Sequence, residues 1–218
     1  MNTRTVPLLI FLVLMLDQAV KFYIKTSFVL GESVDVSSWF HIVFVENEGA
    51  AWGAKLSDWL PISDRSGKLA LTLFRIFAIG GIGYWTYNSL KKGANSWLLT
   101  AQSLILAGAI GNIIDSVFYG LLFTDSWGQL AQFLPPVGYE GLFHGKVVDM
   151  IYFPLFDTTW PEWVPIKGGT PFRFFDAVFN IADVSISTGV GILLVFGSKA
   201  FPKEQADQPT PPTQGSAG

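Results

Sequence analysis

Cysteine is absent from the 218-residue chain, which excludes disulfides, a thiol nucleophile and a thiolate metal site. Histidine is nearly absent: His41 and His144 stand far apart, so no His-rich metal centre is expected. No cofactor is expected. Charge is also scarce. Only 14% of residues are charged, where a soluble domain carries about a quarter. No basic run is long enough for nucleic acid, and the net charge is −3. What is present is apolar: half the residues are hydrophobic, and they cluster into runs. That clustering points to a membrane protein.

Four runs are long enough to cross a bilayer, approximately 6–24, 69–87, 97–118 and 177–197. The first, VPLLIFLVLML, lacks a small-residue cleavage site and is interrupted by Asp17 and Lys21, so it reads as a retained helix. Lys91 and Lys92 lie in the short connection 88–96. Arg4, Lys199 and Lys203 fall on the same side when four spans are counted, which makes that side, with both termini, cytoplasmic. The expected fold is an all-α membrane protein of four transmembrane helices. To these are added a small extracytoplasmic β-region near 33–60 and a long aromatic outer loop near 119–176. The strand signal in the β-region is VDVSSWFHIVFVEN, with its β-branched and aromatic residues in partial alternation. The outer loop is rich in Trp, Phe, Pro and Gly, a composition suited to the membrane interface. Residues 1–200 read as a single domain, and the Pro-rich stretch 201–218 as a disordered cytoplasmic tail.

Depth is the next clue, at about 1.5 Å per helical residue. Asp17 and Lys21 fall in the outer half of the first span, and Arg75 about 9 Å below the outer face of the second. Asn112 and Asp115 lie near the outer end of the third, and Asn180 and Asp183 in the first two turns of the fourth. Each span thus brings polar groups to a similar level, which suggests one polar cavity open to the outer leaflet. Each residue also has a plainer reading. Asp17 and Lys21, spaced i,i+4, can simply neutralise each other. Arg75 can snorkel to headgroups, and the asparagines can act as interhelical glue. Asp115 can be an interfacial residue at a helix end. Asp183 resists this treatment, because its own helix offers no cation within one turn.

Short motifs then stand in order: Asp17-Gln18-x-x-Lys21, Asn47-x-Gly49-x-Ala51-Trp52-Gly53, Gly111-Asn112-x-x-Asp115, Gly145-x-Val147-Val148-Asp149 and Phe179-Asn180-x-Ala182-Asp183. Each is weak alone, but the set covers most of residues 10–195 and closely resembles the lipoprotein signal peptidases, or signal peptidases II. The resemblance implies a metal-free, membrane-embedded aspartic peptidase that removes signal peptides from bacterial prolipoproteins before a diacylglyceryl-modified cysteine. It implies Asp149 and Asp183 as the catalytic pair. Substrate binding or support of the pair would fall to Asp17, Lys21, Asn47, Gly49, Asn112, Asp115 and Asn180. The implied location is the bacterial cytoplasmic (inner) membrane, with the active site toward the outer leaflet. The implied partners are lipid-modified prolipoprotein and membrane lipids, and a monomer is expected.

Two departures accompany the resemblance. The family usually carries Arg directly after Gly-Asn-x-x-Asp, where this chain has Ser116; Arg75 is one substitute at suitable depth. Extensions near 121–144 and 157–175 also lengthen the outer loop. Competing functions are a proton-coupled transporter using buried Asp and Asn, and a non-catalytic assembly or lipid-binding factor. Against the transporter, the inner halves of the four spans read as nearly uninterrupted apolar runs.

Overall fold

The computed structural model describes residues 1–48, 56–154, 156–165, 168–174 and 176–201. Gly49, with Ala51, Trp52 and Gly53 of its motif, lies outside the described residues, as does the tail beyond Phe201.

The first apolar run forms α1, Thr5–Ser27. A second helix, α2, Asp64–Lys91, starts where the Ser63 hydroxyl accepts from the Ser66 amide. It ends before Gly93, whose φ of +67° suits a residue without Cβ. Asn95 likewise caps α3, Ser96–Ile114, by accepting from the Leu98 amide. That helix continues through a π-helical turn, Asp115–Tyr119, into a one-turn helix α4, Gly120–Leu122. The fourth run is α5, Ile181–Val195, followed by the short α6, Gly197–Ala200.

Among the described residues, three helices are long and apolar enough to cross a membrane, and α5 is apolar but only 15 residues long. The helical part of the fourth predicted span therefore begins at 181 rather than 177. Leu8, Phe11, Leu12, Met15 and Leu16 of α1, Phe74 and Phe77 of α2, and Leu194 and Val195 of α5 all face outward. In water such a surface would aggregate; in lipid it is the natural exterior. Small residues line the inner contacts. A Cβ on Gly108 would strike the Ala182 carbonyl, and one on Gly189 would come within 2.7 Å of the Ala101 carbonyl. The close α3–α5 approach depends on these two positions.

The all-α expectation needs correction outside the membrane. Among the described residues, strands β1, Ser33–Ser37, and β2, Phe40–Asn47, form the predicted β-region. The expected outer loop supplies three more strands, β3, Val147–Tyr152, β4, Phe156–Thr159, and β5, Pro171–Phe174, and a fourth, β6, Val178–Phe179, occupies the start of the predicted fourth span. One antiparallel sheet runs β1-β2-β3-β6, and β4 with β5 forms a separate hairpin. Hydropathy misses β3 because VVDMIY is short and carries an acid. It is a central strand, buried through its first four residues.

The register of β2 on β3 gives each strand two distinct faces. Val45 pairs with Asp149, Glu46 with Val148 and Asn47 with Val147. Val148 and Met150 turn with Phe44 into a core that also holds Ile24, Phe28, Tyr119 and Phe123. Alternation sends Asn47 and Asp149 to the opposite face, toward the helices.

Candidate active site

Two carboxylates arrive at one place from different elements. Asp149 comes from the middle of β3 and is 2% exposed. Asp183 comes from the first turn of α5, where it forms a reciprocal cap with Asn180. The Asn180 side chain accepts from the Asp183 amide at 2.9 Å, and Asp183 Oδ2 accepts from the Asn180 amide at 3.2 Å. The sequence singles out Asp183 as the deep, unpaired acid. The structure reverses the emphasis: Asp149 is the buried one, and Asp183 sits half-buried at a helix N-terminus, where the helix dipole favours a carboxylate.

Three asparagines converge on the pair. Asn180 Nδ2 donates to Asp149 Oδ1 at 2.7 Å, and Asn47 Nδ2 donates to Asp149 Oδ2 at 3.1 Å. Asn112 Nδ2 donates to Asp183 Oδ1 at 2.8 Å. The Asn112 carbonyl oxygen in turn accepts from Asn180 at 3.0 Å and from Lys21 Nζ at 2.8 Å. Burial, then the Asp183 charge, push the Asp149 carboxyl up to about 7, opposed by the Asn47 and Asn180 hydrogen bonds and by Lys21.

Of the predicted residues, Asp17, Lys21 and Asp115 lie one layer away and act as ties. Lys21 and Asp17 pair at 2.9 Å on one face of α1, as their spacing requires. Lys21 also pairs with Asp115 at 2.9 Å, and all three are buried. Asp17 Oδ1 accepts from the Ala182 amide at 2.8 Å, which fastens the start of α5 to α1. Asp115 Oδ2 accepts from the Val148 amide at 3.2 Å, which fastens β3 to the end of α3. The two acids thus hold the two elements that carry Asp149 and Asp183. The π turn begins at Asp115, a local winding common near functional sites. Gly111 has no room for a side chain, since a Cβ there would lie 2.6 Å from Asp17 Oδ2.

Sequence reasoning misses several members of this network. Gln18, visible only as part of a motif, donates to Asp115 Oδ1 at 2.9 Å and accepts from Tyr119 at 3.2 Å. Lys25 and Glu46 are both buried and paired, although position alone makes Lys25 an outer-side charge. The spacing of Asp17, Lys21 and Lys25 at i, i+4 and i+8 is the available signal. Ser116, where the family pattern has Arg, is buried and donates to the Asn112 backbone carbonyl at 3.1 Å. Arg75 is half-buried on α2 within electrostatic reach of Asp183. The apolar inner halves also need amendment. Gln102 and Ser103 are fully buried, and Gln102 donates to Ser89 at 2.9 Å, a polar tie between α3 and α2.

Asp183 opens on a cleft of about 480 Å³ lined also by Ala177, Phe179, Val184, Ser187 and Thr188. Among the described residues, no group of three or more His, Asp or Glu side chains forms a metal site. A pair of carboxylates, one protonated and one ionised, beside a largely apolar cleft can activate water for hydrolysis.

Known proteins resemble this chain over most of its length. The family model described as "Signal peptidase (SPase) II" matches residues 9–198. The lipoprotein signal peptidase of Porphyromonas gingivalis is 48% identical over 194 residues, covering 88% of this chain and 82% of that protein. The one from Amoebophilus asiaticus is 32% identical, covering 84% and 73% respectively. Among solved structures, a bacterial membrane enzyme determined by the in meso method at 2.3 Å is 25% identical with a TM-score of 0.59, covering 94% of this chain and 96% of that one.

Proposed function

Because the chain belongs to the signal peptidase II family, we propose that it works as an aspartic endopeptidase with Asp149 and Asp183 as the reacting pair. The observation that carries this reading is the convergence of Asn47, Asn112 and Asn180 on the two carboxylates, at the edge of an apolar cleft.

The roles come from the surroundings. Asp149, buried and raised toward neutrality, holds the shared proton. Asp183, facing the cleft, takes a proton from a water molecule. That water's oxygen attacks the scissile carbonyl carbon, while Asp149 donates its proton to the carbonyl oxygen. Collapse of the tetrahedral intermediate breaks the C–N bond, and the leaving amine takes a proton from the pair. The Asn112 and Asn180 amides orient the carboxylates so that little reorganisation is needed.

The substrate we assign is a prolipoprotein signal peptide ending at a diacylglyceryl-modified cysteine. An apolar helical segment of that kind suits the cleft along α5. We take α5 as a fourth span in a cytoplasmic (inner) membrane. The N-terminal amine donates to Ser96 at 2.6 Å, and Asn95 donates to the Ala200 carbonyl at 2.8 Å. Arg4, Lys91, Lys92 and Lys199 therefore gather at one end of the bundle, which supports a cytoplasmic assignment there and an outer-leaflet position for the pair. The protein is taken to act as a monomer. Nothing in the family match or the fold favours the transporter.

Purified protein incubated with diacylglyceryl-modified prolipoprotein should release the signal peptide. Asp149→Asn and Asp183→Asn should fold and reduce cleavage to background. Retained cleavage by either variant would overturn the assignment of the pair.

A further inference from the structure

Beneath the sheet, on the face turned away from the two aspartates, lies a second buried charge cluster. Glu46 of β2 is 2% exposed in its side chain, and both its carboxylate oxygens are engaged. Oε1 pairs with Lys25 Nζ from the last turn of α1 and accepts from Ser126 Oγ at 3.3 Å. Oε2 pairs with Lys146 Nζ at 3.2 Å, one residue before β3. Lys25 Nζ also donates to Ser126 at 2.9 Å. The Tyr139 ring lies 4.7 Å from Lys25 Nζ and 5.7 Å from Lys146 Nζ, and its hydroxyl accepts from the Lys146 amide at 2.7 Å. One carboxylate thus joins four pieces of chain: α1, β2, the approach to β3 and the extended stretch between α4 and β3.

A buried ion cluster with every partner in place adds little net stability over apolar packing, but it specifies one arrangement strongly. Here the arrangement matters because Asn47 is the next residue of the same strand. Asn47 points to the other face and donates to Asp149 Oδ2 at 3.1 Å. It opposes Val147, so it reaches Asp149 on the diagonal, a contact sensitive to small shifts of the strand end. Asn47 is also the final residue of β2. The next carbonyl, that of Glu48, accepts from Lys68 Nζ at 2.8 Å, and Glu46 on the core side is gripped from two directions.

We propose that Glu46, held by Lys25 and Lys146, is a positioning residue that sets the hydrogen bond from Asn47 to Asp149. The proposal rests on the assignment of Asp149 and Asp183 as the reacting pair. Asp149 is faced by Asp183 from α5 and by Lys21 from α1, with Asn47 and Asn180 as uncharged donors. Glu46 is faced by Lys25 and Lys146, and Lys68 of α2 lies within electrostatic reach of both Glu46 and Lys146.

The test is a double-variant cycle of Glu46→Gln with Asn47→Ala, read as signal-peptide release from diacylglyceryl-modified prolipoprotein across pH. Glu46→Gln should lower kcat about tenfold with KM little changed, and move the alkaline limb of the pH profile. In the Asn47→Ala background it should do neither, because the contact it positions is already gone. An equal limb shift in both backgrounds would mean that the Glu46 charge acts through space, and would overturn positioning. Equal kcat losses in both backgrounds, with no limb shift, would mean a merely structural role and would overturn it too. If Glu46→Gln does not fold, Lys146→Met decides in the same cycle, since it frees only Oε2 and leaves Lys25 in place. Asp149→Asn serves as the control. Its retained activity would remove the reacting pair itself, whereas an inactive Asp149→Asn beside an additive cycle would remove positioning alone.

Discussion

Asn112 donates to Asp183 at 2.8 Å while its carbonyl oxygen receives Lys21 Nζ at the same distance. One amide thus connects a carboxylate of the proposed reacting pair to the buried cation of α1. The lysine fixes which way the amide points, since only the carbonyl end can meet an ammonium. The amide nitrogen is thereby committed to Asp183.

Asn112→Ala should therefore lower kcat about a hundredfold with KM little changed, by releasing Asp183 from its orientation. Steady-state cleavage kinetics check this. Asn112→Asp should be no better, because it places a carboxylate against Asp183. A variant with wild-type kcat would remove Asn112 from the site.

Cleavage should fall as pH rises through about 7, where Asp149 gives up the proton it holds in the pair. The same group bears on stability. Its folded-state pKa lies above the ordinary carboxylate value near 4, so the native state binds more protons than the unfolded chain between about 4 and 7. Stability should therefore decline across that window as pH rises. Asp149→Asn lacks the titration, so its Tm should gain on the wild type between pH 4 and 7 and hold that gain above. Thermal unfolding in detergent at several pH values reads the difference, and parallel curves would refute it.

Lys21→Met should be the most destabilising single change among the supporting residues. It leaves the Asp17 and Asp115 carboxylates buried without their shared cation, a loss of about 3–5 kcal/mol. Adding Asp115→Asn should recover part of that stability by removing one orphaned charge. Thermal or denaturant unfolding of the two variants side by side measures the recovery.

Gly111→Ala should also destabilise, by about 1–3 kcal/mol. The new methyl would meet Asp17 Oδ2 at 2.6 Å and Ala182 Cβ at 3.2 Å, so α1 and α5 must both move. The displacement reaches Asp183 through Ala182, and activity should fall together with Tm. Gly81, around whose Cβ position there is open space, is the matched control: Gly81→Ala should leave both unchanged.

The membrane class of the chain, its long apolar helices and the shared face of Asp17 and Lys21 were legible in the sequence. Each comes from composition or from a helical period that operates within one segment. The motifs likewise brought Asp149 and Asp183 forward as candidates through their resemblance to a family. The sequence did not reveal that Asp149 stands on a central strand. A short stretch in an aromatic outer loop becomes a strand only when β2 and β6 supply its hydrogen-bond partners. Nor did it reveal the two-faced end of β2, because Glu46 and Asn47 differ in role only once Lys25 lies beneath one and Asp149 above the other. Local periodicity can say which residues share a face. What that face meets is decided by contacts between residues far apart in the chain, such as Lys25 with Ser126 and Asn47 with Asp149, and those exist only in the folded protein.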